Sequence, residues 1–302
     1  MEDKLRTLRA HHFPIDGFVL DAYWGGPFAA ADKHNHIGAM KFDPNWFPDP
    51  ENHLKGFYDR GIGIMVHEDP FINHWLPGFI AMAARGGLVR QCENCPERTI
   101  DNYLGLIGII DWTRDETADY WHKSMREPLI NLGITYHWTD FAEVDGYGGD
   151  DWYNGVRPFD HTATQNHNLF SFKWAESIAR GYRGITQTNK RQFILSRSGT
   201  PGIQRFGTAL WSGDIGSNMK SLAAHLNAQM HLSLSGVDYF GSDIGGYHRV
   251  ALQGEIGDVY TKWFAHSAAF DVPVRPHTNN WDHTKTNGSR PHRRFWRVTS
   301  QI

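Results

Sequence analysis

The run Ile134-Thr-Tyr-His-Trp138 is a short β-rich segment, and an acid, Asp140, follows it after a single threonine. Runs of this kind recur along the chain, and longer stretches with helical character separate them. A parallel sheet with crossover helices produces this alternation. We count eight such runs, at residues 17–21, 63–67, 106–111, 134–138, 193–197, 208–211, 237–240 and 272–275.

Eight is the number of strands that closes a (β/α)8 TIM barrel, for which about 250 residues is typical. The stretches between the runs carry helix caps, such as Asp49 followed by Pro50, and Ser217. Between Arg197 and Trp211 too few residues remain for a standard crossover helix, so we expect an irregular connection there. A doubly wound open sheet is the main rival, but no Gly-x-Gly-x-x-Gly follows the first run.

The composition excludes several classes of protein. The chain has 302 residues and a formal net charge of −3, which gives no electrostatic reason to expect binding to nucleic acid. No apolar run approaches the roughly 18 residues that a membrane span requires. Two cysteines, Cys92 and Cys95, cannot form a disulfide scaffold, and a zinc site would need a second pair. We expect a surface loop there, with a local disulfide as the alternative.

Polar side chains follow the ends of all eight runs, where the chemistry of a parallel barrel is located. Acids are also common after strands because they cap helices and start turns, so one acid alone is weak evidence. Acids at most of the ends, close to aromatic residues in the sequence, are stronger evidence for a sugar site. The residues at the eight ends are Asp21, His67-Glu68-Asp69, Asp111, Asp140, Arg197, Asp214, Asp243 and His277.

Two carboxylates suffice to hydrolyse a glycosidic bond, because one attacks or activates water and the other protonates the leaving oxygen. The pair must face each other across the mouth of the barrel. Asp140 and Asp214, which follow the fourth and sixth predicted strands, meet this requirement. Aromatic residues nearby would stack on the apolar faces of a sugar ring; they are Trp24, Trp138, Trp211, Phe240 and Tyr247.

At these residues the sequence resembles glycoside hydrolase family 31, the family of retaining α-glucosidases and α-xylosidases. Trp138-Thr-Asp140-Phe-Ala-Glu143 is similar to the family's nucleophile motif Trp-x-Asp-Met-x-Glu, with Phe141 in place of Met. Trp211-Ser-Gly-Asp214 is similar to its acid/base motif, and Asp243-Ile-Gly-Gly-Tyr247 to its substrate-binding motif. The similarity extends from about Phe13 to His277 and includes Asp21-Ala-Tyr-Trp24, Phe47-Pro-Asp-Pro50, Leu195-Ser-Arg197 and Arg275-Pro-His277.

The resemblance implies an exo-acting α-glycosidase that works by double displacement at the non-reducing end of an α-linked oligosaccharide, most simply an α-glucoside. Asp140 would form a covalent glycosyl-enzyme, and Asp214 would act as acid and then as base. The rivals are an α-xylosidase, an α-galactosidase or a transglucosylase of the same family, and an inactive sugar-binding barrel. The implied substrate-binding residues are Asp21, Trp24, Asp111, Trp138, Phe141, Arg197, Trp211, Asp243, Tyr247 and His277.

The resemblance also sets the expected domain limits. We predict a catalytic domain over residues 1–285 and an atypical basic tail over residues 286–302, which has four arginines and no acid after Thr286. The family's last barrel helix and flanking β-domains find no match, so the chain resembles an excised core. No signal peptide is visible, and the compartment and oligomeric state stay open. No cofactor is expected, and no metal, because Asp21-Ala-Tyr stands where metal-dependent barrel hydrolases carry His-x-His.

Overall fold

A computed structural model describes residues 1–26, 35–144, 148–155, 161–186 and 189–277. The chain divides into two compact units, Met1–Gly207 and Thr208–Ile302. The predicted tail and the boundary at residue 285 lie outside the described residues. None of the helices in the described ranges combines the length and the apolar character needed to cross a membrane.

Among its described residues, the first unit contains seven strands and six α-helices. Its strands are β1 (Gly17–Leu20), β2 (Gly63–Glu68), β3 (Phe71–Asn73), β4 (Thr99–Asn102), β5 (Gly105–Ile109), β6 (Tyr136–Thr139) and β7 (Phe193–Ser196). Its helices are α1 (Glu2–Ala10), α2 (Pro50–Tyr58), α3 (Pro77–Ala83), α4 (Asp115–Trp121), α5 (Glu127–Asn131) and α6 (Ala163–Gly184), with a π-helical segment, His122–Arg126, between α4 and α5.

The main sheet of this unit is parallel, in the order β1-β2-β6-β7. All six residues of β2 are buried, which is the pattern of a strand whose two faces are both covered. In the register of the sheet, His67 on β2 lies opposite Trp138 on β6, and Thr139 lies opposite Ser196 on β7. The carboxyl ends of β2, β6 and β7 are therefore level with one another.

The third predicted run is not part of this parallel sheet, so that prediction is wrong. β5, which covers most of residues 106–111, pairs antiparallel with both β3 and β4 in a separate three-stranded sheet. Only Asp69 and Pro70 separate β2 from β3, far too few residues for the crossover that a parallel neighbour requires. The chain therefore leaves the parallel sheet after β2 and returns to it at β6, which pairs directly with β2.

Two other expectations about connections have outcomes in this unit. Cys92 and Cys95 are joined by a disulfide, which was the alternative to a plain surface loop. After β7 the chain forms a 3-10 turn, Ile203–Phe206, with left-handed glycines, Gly202 and Gly207, at its two ends. The irregular connection predicted between Arg197 and Trp211 is therefore confirmed.

The second unit alternates strands and helices. Its strands are β8 (Thr208–Trp211), β9 (Phe240–Gly241), β10 (Asp243–Ile244) and β11 (Arg275–Pro276), and its helices are α7 (Met219–Leu234) and α8 (Ile256–Phe270). The pairs β8-β9 and β10-β11 are both parallel. Ile244 packs with apolar side chains from both helices, including Leu222 and Trp263, so the helices cover the strands.

Candidate active site

Asp140 lies at the carboxyl end of β6, and the backbone fixes its position. Its N–H donates to the carbonyl of Glu68 at the end of β2 (3.2 Å). The next residue, Phe141, has φ = 52°, a left-handed conformation that is uncommon for a residue with a side chain. The Phe141 N–H then donates back to Asp140 Oδ1 (2.8 Å). Backbone strain of this kind concentrates at functional sites, so the turn marks Asp140 as a candidate.

Two cations hold the carboxylate of Asp140. Arg197, which follows β7, donates from Nη1 to Oδ1 (3.0 Å), and His67 on β2 approaches Oδ2 through Nε2 (3.2 Å). Burial by itself raises the pKa of Asp140, but the hydrogen bond and charge of His67, together with Arg197, lower that pKa to about 2. Asp140 is therefore ionised at neutral pH although its side chain is largely buried.

His67 lies between two carboxylates. Its Nε2 faces Asp140, and its Nδ1 is 3.4 Å from Asp69 Oδ2. Its ring is buried and meets the ring of Trp138 edge to face, with 4.7 Å between centroids. Burial alone lowers the pKa of a histidine, but the charge of Asp69 and the hydrogen bonds to both acids keep the pKa of His67 well above its ordinary value. These contacts favour the protonated form of the side chain.

Glu143 completes the group of charges around Arg197. Its Oε1 is 2.6 Å from Arg197 Nε, so the guanidinium bridges Glu143 and Asp140. The guanidinium carbon also lies 5.5 Å from the centroid of the Phe141 ring. Burial raises the pKa of Glu143 above its ordinary value. Arg197 is thus held from three directions, and its Nη1 is aimed at Asp140.

A small pocket borders this cluster, with Trp24, His36 and Gly38 on one side and His67 and Asp69 on the other. The indole N–H of Trp24 donates to the carbonyl of His67 (2.9 Å), which fixes the ring. Asp69 Oδ1 and His36 Nδ1 are buried and have no hydrogen-bond partner among the described residues.

Asp21 and Asp111 differ in what surrounds them. Asp21 follows β1, is half-buried and accepts from the N–H of Ala22 (2.7 Å). Asp111 is fully buried, and its carboxylate accepts from the N–H and hydroxyl of Thr113 and from the N–H of Asn154. Because β5 is antiparallel, Asp111 is not at the end of a barrel strand. This carboxylate holds two loops together, and its predicted sugar contact stays a prediction.

The second unit gathers the other predicted residues near Asp243. The side chain of Asp243 is buried, accepts from Arg275 Nε (2.9 Å) and has His277 Nε2 at 3.7 Å from its Oδ2. Tyr247 packs against His277, and the Arg275 guanidinium lies over the ring of Trp211.

Asp214 lies in the loop after β8, two residues before Gly216. It is half-buried. The N–H groups of Tyr247 and His248 donate to the carbonyl of Ile215, the residue after Asp214, and Ser217 N–H donates to the carbonyl of His248. The loop that carries Asp214 is thereby fixed to the loop that carries Tyr247.

One group of side chains in this unit has the spacing of metal ligands. One ligand atom from each of His225, His266 and Asp271 lies within 4.8 Å of the other two. The carboxylate of Asp271, however, already accepts from His225 Nε2 (3.0 Å), from Gln229 Nε2 (3.1 Å) and from Ser242. The hydrogen bonds of Asp271 therefore connect the end of α8 to α7 and to the residue that follows β9.

Four residues of these clusters were not among the predicted site residues: His67, Asp69 and Glu143 in the first unit, and Arg275 in the second. Each stands inside a stretch that the sequence analysis quoted, at a strand end or in a motif. The strand-end run His67-Glu68-Asp69 was visible, but nothing in the sequence shows which of the three side chains faces Asp140. The structure supplies that information, because alternate side chains of a strand point to opposite faces.

Comparison with known proteins shows which family this chain resembles. The family model of the glycosyl hydrolases family 31 TIM-barrel domain matches residues 1–301. An uncharacterized family 31 glucosidase of Pseudescherichia vulneris is 26% identical over 81% of this chain and 44% of its own length. An α-xylosidase of Saccharolobus solfataricus is 25% identical over 86% of this chain and 33% of its own length. The chain thus spans less than half the length of these two relatives.

A solved structure of similar fold is a family 31 α-xylosidase from a soil metagenome, complexed with xylose. It superposes with a TM-score of 0.77 at 23% identity, over 91% of this chain and 39% of that one. The matched family comprises glycoside hydrolases, and the fold of this chain is the family's TIM-barrel domain. The chain belongs to glycoside hydrolase family 31.

Proposed function

We propose that this chain is the catalytic domain of a retaining, exo-acting α-glycosidase that hydrolyses α-glucosides at the non-reducing end. The observation that carries the proposal is the carboxylate of Asp140, which is buried yet held ionised by Arg197 and His67. A carboxylate that stays charged in a largely buried place is suited to attack an anomeric carbon.

The two oxygens of Asp140 have different surroundings. Oδ1 accepts from the Phe141 N–H and from Arg197, whereas Oδ2 has His67 as its partner. Oδ1 therefore anchors the carboxylate, and Oδ2 is the oxygen we assign to attack. In the first step Oδ2 bonds to the anomeric carbon, the glycosidic bond breaks, and Asp214 protonates the departing oxygen.

In the second step the glycosyl ester is hydrolysed. Asp214, now a carboxylate, takes a proton from a water molecule whose oxygen bonds to the anomeric carbon. The bond to Asp140 Oδ2 breaks, and its electron pair returns to the carboxylate. Two inversions at one carbon give net retention of configuration.

The sugar would be held by polar groups and by aromatic rings. We assign hydroxyl binding to Asp21, Arg197, Asp243 and His277, and we add Asp69, whose Oδ1 is a buried acceptor without a partner among the described residues. Ring contacts are assigned to Trp24, Trp138, Phe141, Trp211 and Tyr247. Asp111 is left out because its oxygens are engaged with Thr113 and Asn154.

The identity of the sugar is the part of the proposal that the relatives leave most open. The relatives compared above bear the names of a glucosidase and of an α-xylosidase. A panel of p-nitrophenyl α-glycosides separates these options directly. We expect the α-glucoside to give the highest kcat/KM, and a higher value for the α-xyloside or α-galactoside would replace the assigned sugar while leaving the mechanism in place.

The role of Asp140 is tested by the Asp140→Ala variant. We expect turnover of an activated α-glycoside to fall to background, because no carboxylate remains to form the ester. Azide should then restore cleavage by occupying the vacated space, and the product should be the β-glycosyl azide. An Asp140→Ala variant that keeps the activity of the parent would refute the assignment.

A further inference from the structure

His67 places a buried positive charge against the oxygen that is assigned to attack. Its Nε2 is 3.2 Å from Asp140 Oδ2, and its side chain is only 3% exposed. Asp69 lies at the other ring nitrogen, and Trp138 closes over the ring edge to face. A carboxylate at each ring nitrogen favours the protonated form of the imidazole.

We propose that His67 is a positioning residue that stabilises Asp140 as the leaving carboxylate in the second step of the reaction, in which the glycosyl-enzyme is hydrolysed. The inference rests on the proposed function of Asp140. It assigns to His67 an effect on one half of the reaction, which is more specific than a general contribution to the shape of the site.

The asymmetry follows from where charge appears in each half of the reaction. In the first step Asp140 loses negative charge as Oδ2 bonds to carbon, so a cation beside Oδ2 gives the transition state no advantage over the free enzyme. In the second step the electron pair of the breaking bond returns to Oδ2. The imidazolium stabilises the negative charge that develops on this oxygen in the transition state. His67 neither gains nor loses a proton in this account.

Asp69 is the group that keeps His67 charged. The groups that face His67 are Asp69 at Nδ1 and Asp140 at Nε2, and Arg197 lies beyond Asp140 on the far oxygen. When Asp140 is esterified, Asp69 is the remaining carboxylate beside the ring, and it retains the proton on His67 through the intermediate. Burial and the nearby charges of Asp140 and Asp21 raise the pKa of Asp69, whereas His67 lowers it.

A histidine on the neighbouring strand provides a matched control. His137 on β6 is also fully buried, but its Nε2 contacts the hydroxyl of Tyr182 (2.8 Å), and its Nδ1 lies 3.5 Å from Glu68 on the opposite face of the sheet. Burial lowers the pKa of His137, so it is neutral. Substituting it changes a buried histidine without removing charge beside Asp140.

The test uses an α-glycosyl fluoride or dinitrophenyl glycoside, whose good leaving group makes the second step rate-limiting. We expect His67→Gln, which keeps a donor but not the charge, to lower kcat by on the order of tenfold to a hundredfold, the range of a charge-assisted hydrogen bond. The kcat/KM of the same substrate should change by less than about threefold. The variant should also show a larger pre-steady-state burst, with more glycosyl-enzyme trapped on rapid acid quench.

His137→Asn should leave the ratio of kcat to kcat/KM unchanged even where it lowers the yield of folded protein. If His67→Gln fails to fold, the pH profile of kcat in Asp69→Asn carries the test, because this variant removes the carboxylate that keeps His67 charged. Its kcat/KM is not used, since Asp69 is also assigned to sugar binding. In Asp69→Asn the alkaline fall of kcat should move to lower pH. The charge of Asp69 raises the pKa of His67, so without that charge His67 loses its proton at a lower pH. Equal losses in kcat and kcat/KM in His67→Gln would overturn the inference. An alkaline fall of kcat that stays at the same pH in Asp69→Asn would also overturn it.

The failure of this inference can be told apart from failure of the proposed function. If wild-type protein forms a glycosyl adduct on Asp140 and the His67 variants behave like the parent, His67 has no part in the second step. If wild-type protein forms no adduct on Asp140, the assignment of the nucleophile itself is wrong.

Discussion

The first unit contains two buried or largely buried ion pairs, Glu68–Arg126 and Asp140–Arg197, that differ in their function. Glu68 and Arg126 are both fully buried, and the oxygens of Glu68 also receive a hydrogen bond from Trp174 Nε1 (3.0 Å) and face His137. Asp140 and Arg197 keep 12% and 20% of their side chains exposed.

The last two residues of β2 contact different pairs: Glu68 is part of the buried ion pair, and His67 contacts Asp140. Glu68 and His67 are successive residues of β2, so their side chains point to opposite faces of the sheet. On one face a carboxylate is completely used by protein partners. On the other face the carboxylate of Asp140 keeps an oxygen that can bond to a substrate.

The largest effect that separates the two pairs should come from Asp140→Asn. We expect kcat/KM to fall by at least about 10^4-fold, because the nucleophile is lost. The free energy of unfolding should change by less than about 1.5 kcal/mol, since Arg197 keeps Glu143 and His67 keeps Asp69 as a partner. Urea titration beside steady-state kinetics measures both, and a loss of stability that matches the loss of activity would end the comparison.

The second effect concerns the buried pair. Glu68→Ala should lower the free energy of unfolding by about 3–5 kcal/mol, because it leaves the charge of Arg126 buried without its partner. In whatever fraction folds, KM should stay near the parental value, since Glu68 faces away from Asp140. The matched variant Glu2→Ala removes an exposed partner of Arg60 and should change the free energy of unfolding far less than Glu68→Ala.

The third effect is on the pH dependence of kcat/KM. The pKa of Asp140 is held near 2, so the parent should keep an ionised nucleophile at every pH above that value. Arg197→Gln removes one cause of this lowering, so the acidic fall of kcat/KM should move to higher pH, with an overall loss of roughly tenfold to a hundredfold. Arg197→Lys, which keeps the charge, should move the limb less. If the acidic fall of kcat/KM stays at the parental pH in both variants, Arg197 does not lower the pKa of Asp140.

The smallest effect concerns the role of Asp111. Asp111→Asn should lower the free energy of unfolding by about 1–2 kcal/mol, because the carboxylate bridges Thr113 and Asn154. The variant should bind substrate with an unchanged KM. Asp243→Asn is the contrasting change, and it should raise KM. A raised KM in Asp111→Asn would restore that residue to the sugar site.

The positions of β1, β2, β6, β7 and β8 could be read from the sequence because short apolar runs followed by polar residues have a clear local pattern. The runs predicted at 237–240 and 272–275 overlap β9 and β11 by only one residue each, and β10 was not predicted. The third run failed because β5 has the same local composition as a barrel strand, and only its pairing partners, β3 and β4, show that it is antiparallel. Strand pairing is a long-range property that a run of six residues does not carry. The place of Asp111 at the end of a barrel strand, which the sequence suggested, is lost with that strand.

The candidate site was predicted best where a motif carries the residues. Asp140 and Arg197 stand in such stretches, and the structure brings them to 3.0 Å from each other. The partners of Glu68 could not be predicted, because Arg126 lies 58 residues away and Trp174 lies 106 residues away in the sequence. A buried ion pair of this kind leaves no local pattern, since each member alone resembles an ordinary surface charge.

The account depends most on Asp140 as the residue that carries the glycosyl group. The most direct measurement is peptide mapping by mass spectrometry after incubation with a 5-fluoro-α-glycosyl fluoride of the preferred sugar, which slows hydrolysis of the intermediate. We predict one sugar per chain, on the peptide that contains Asp140, with loss of activity in proportion to labelling. Labelling of a different carboxylate, or hydrolysis that proceeds with inversion and without any adduct, would contradict the account.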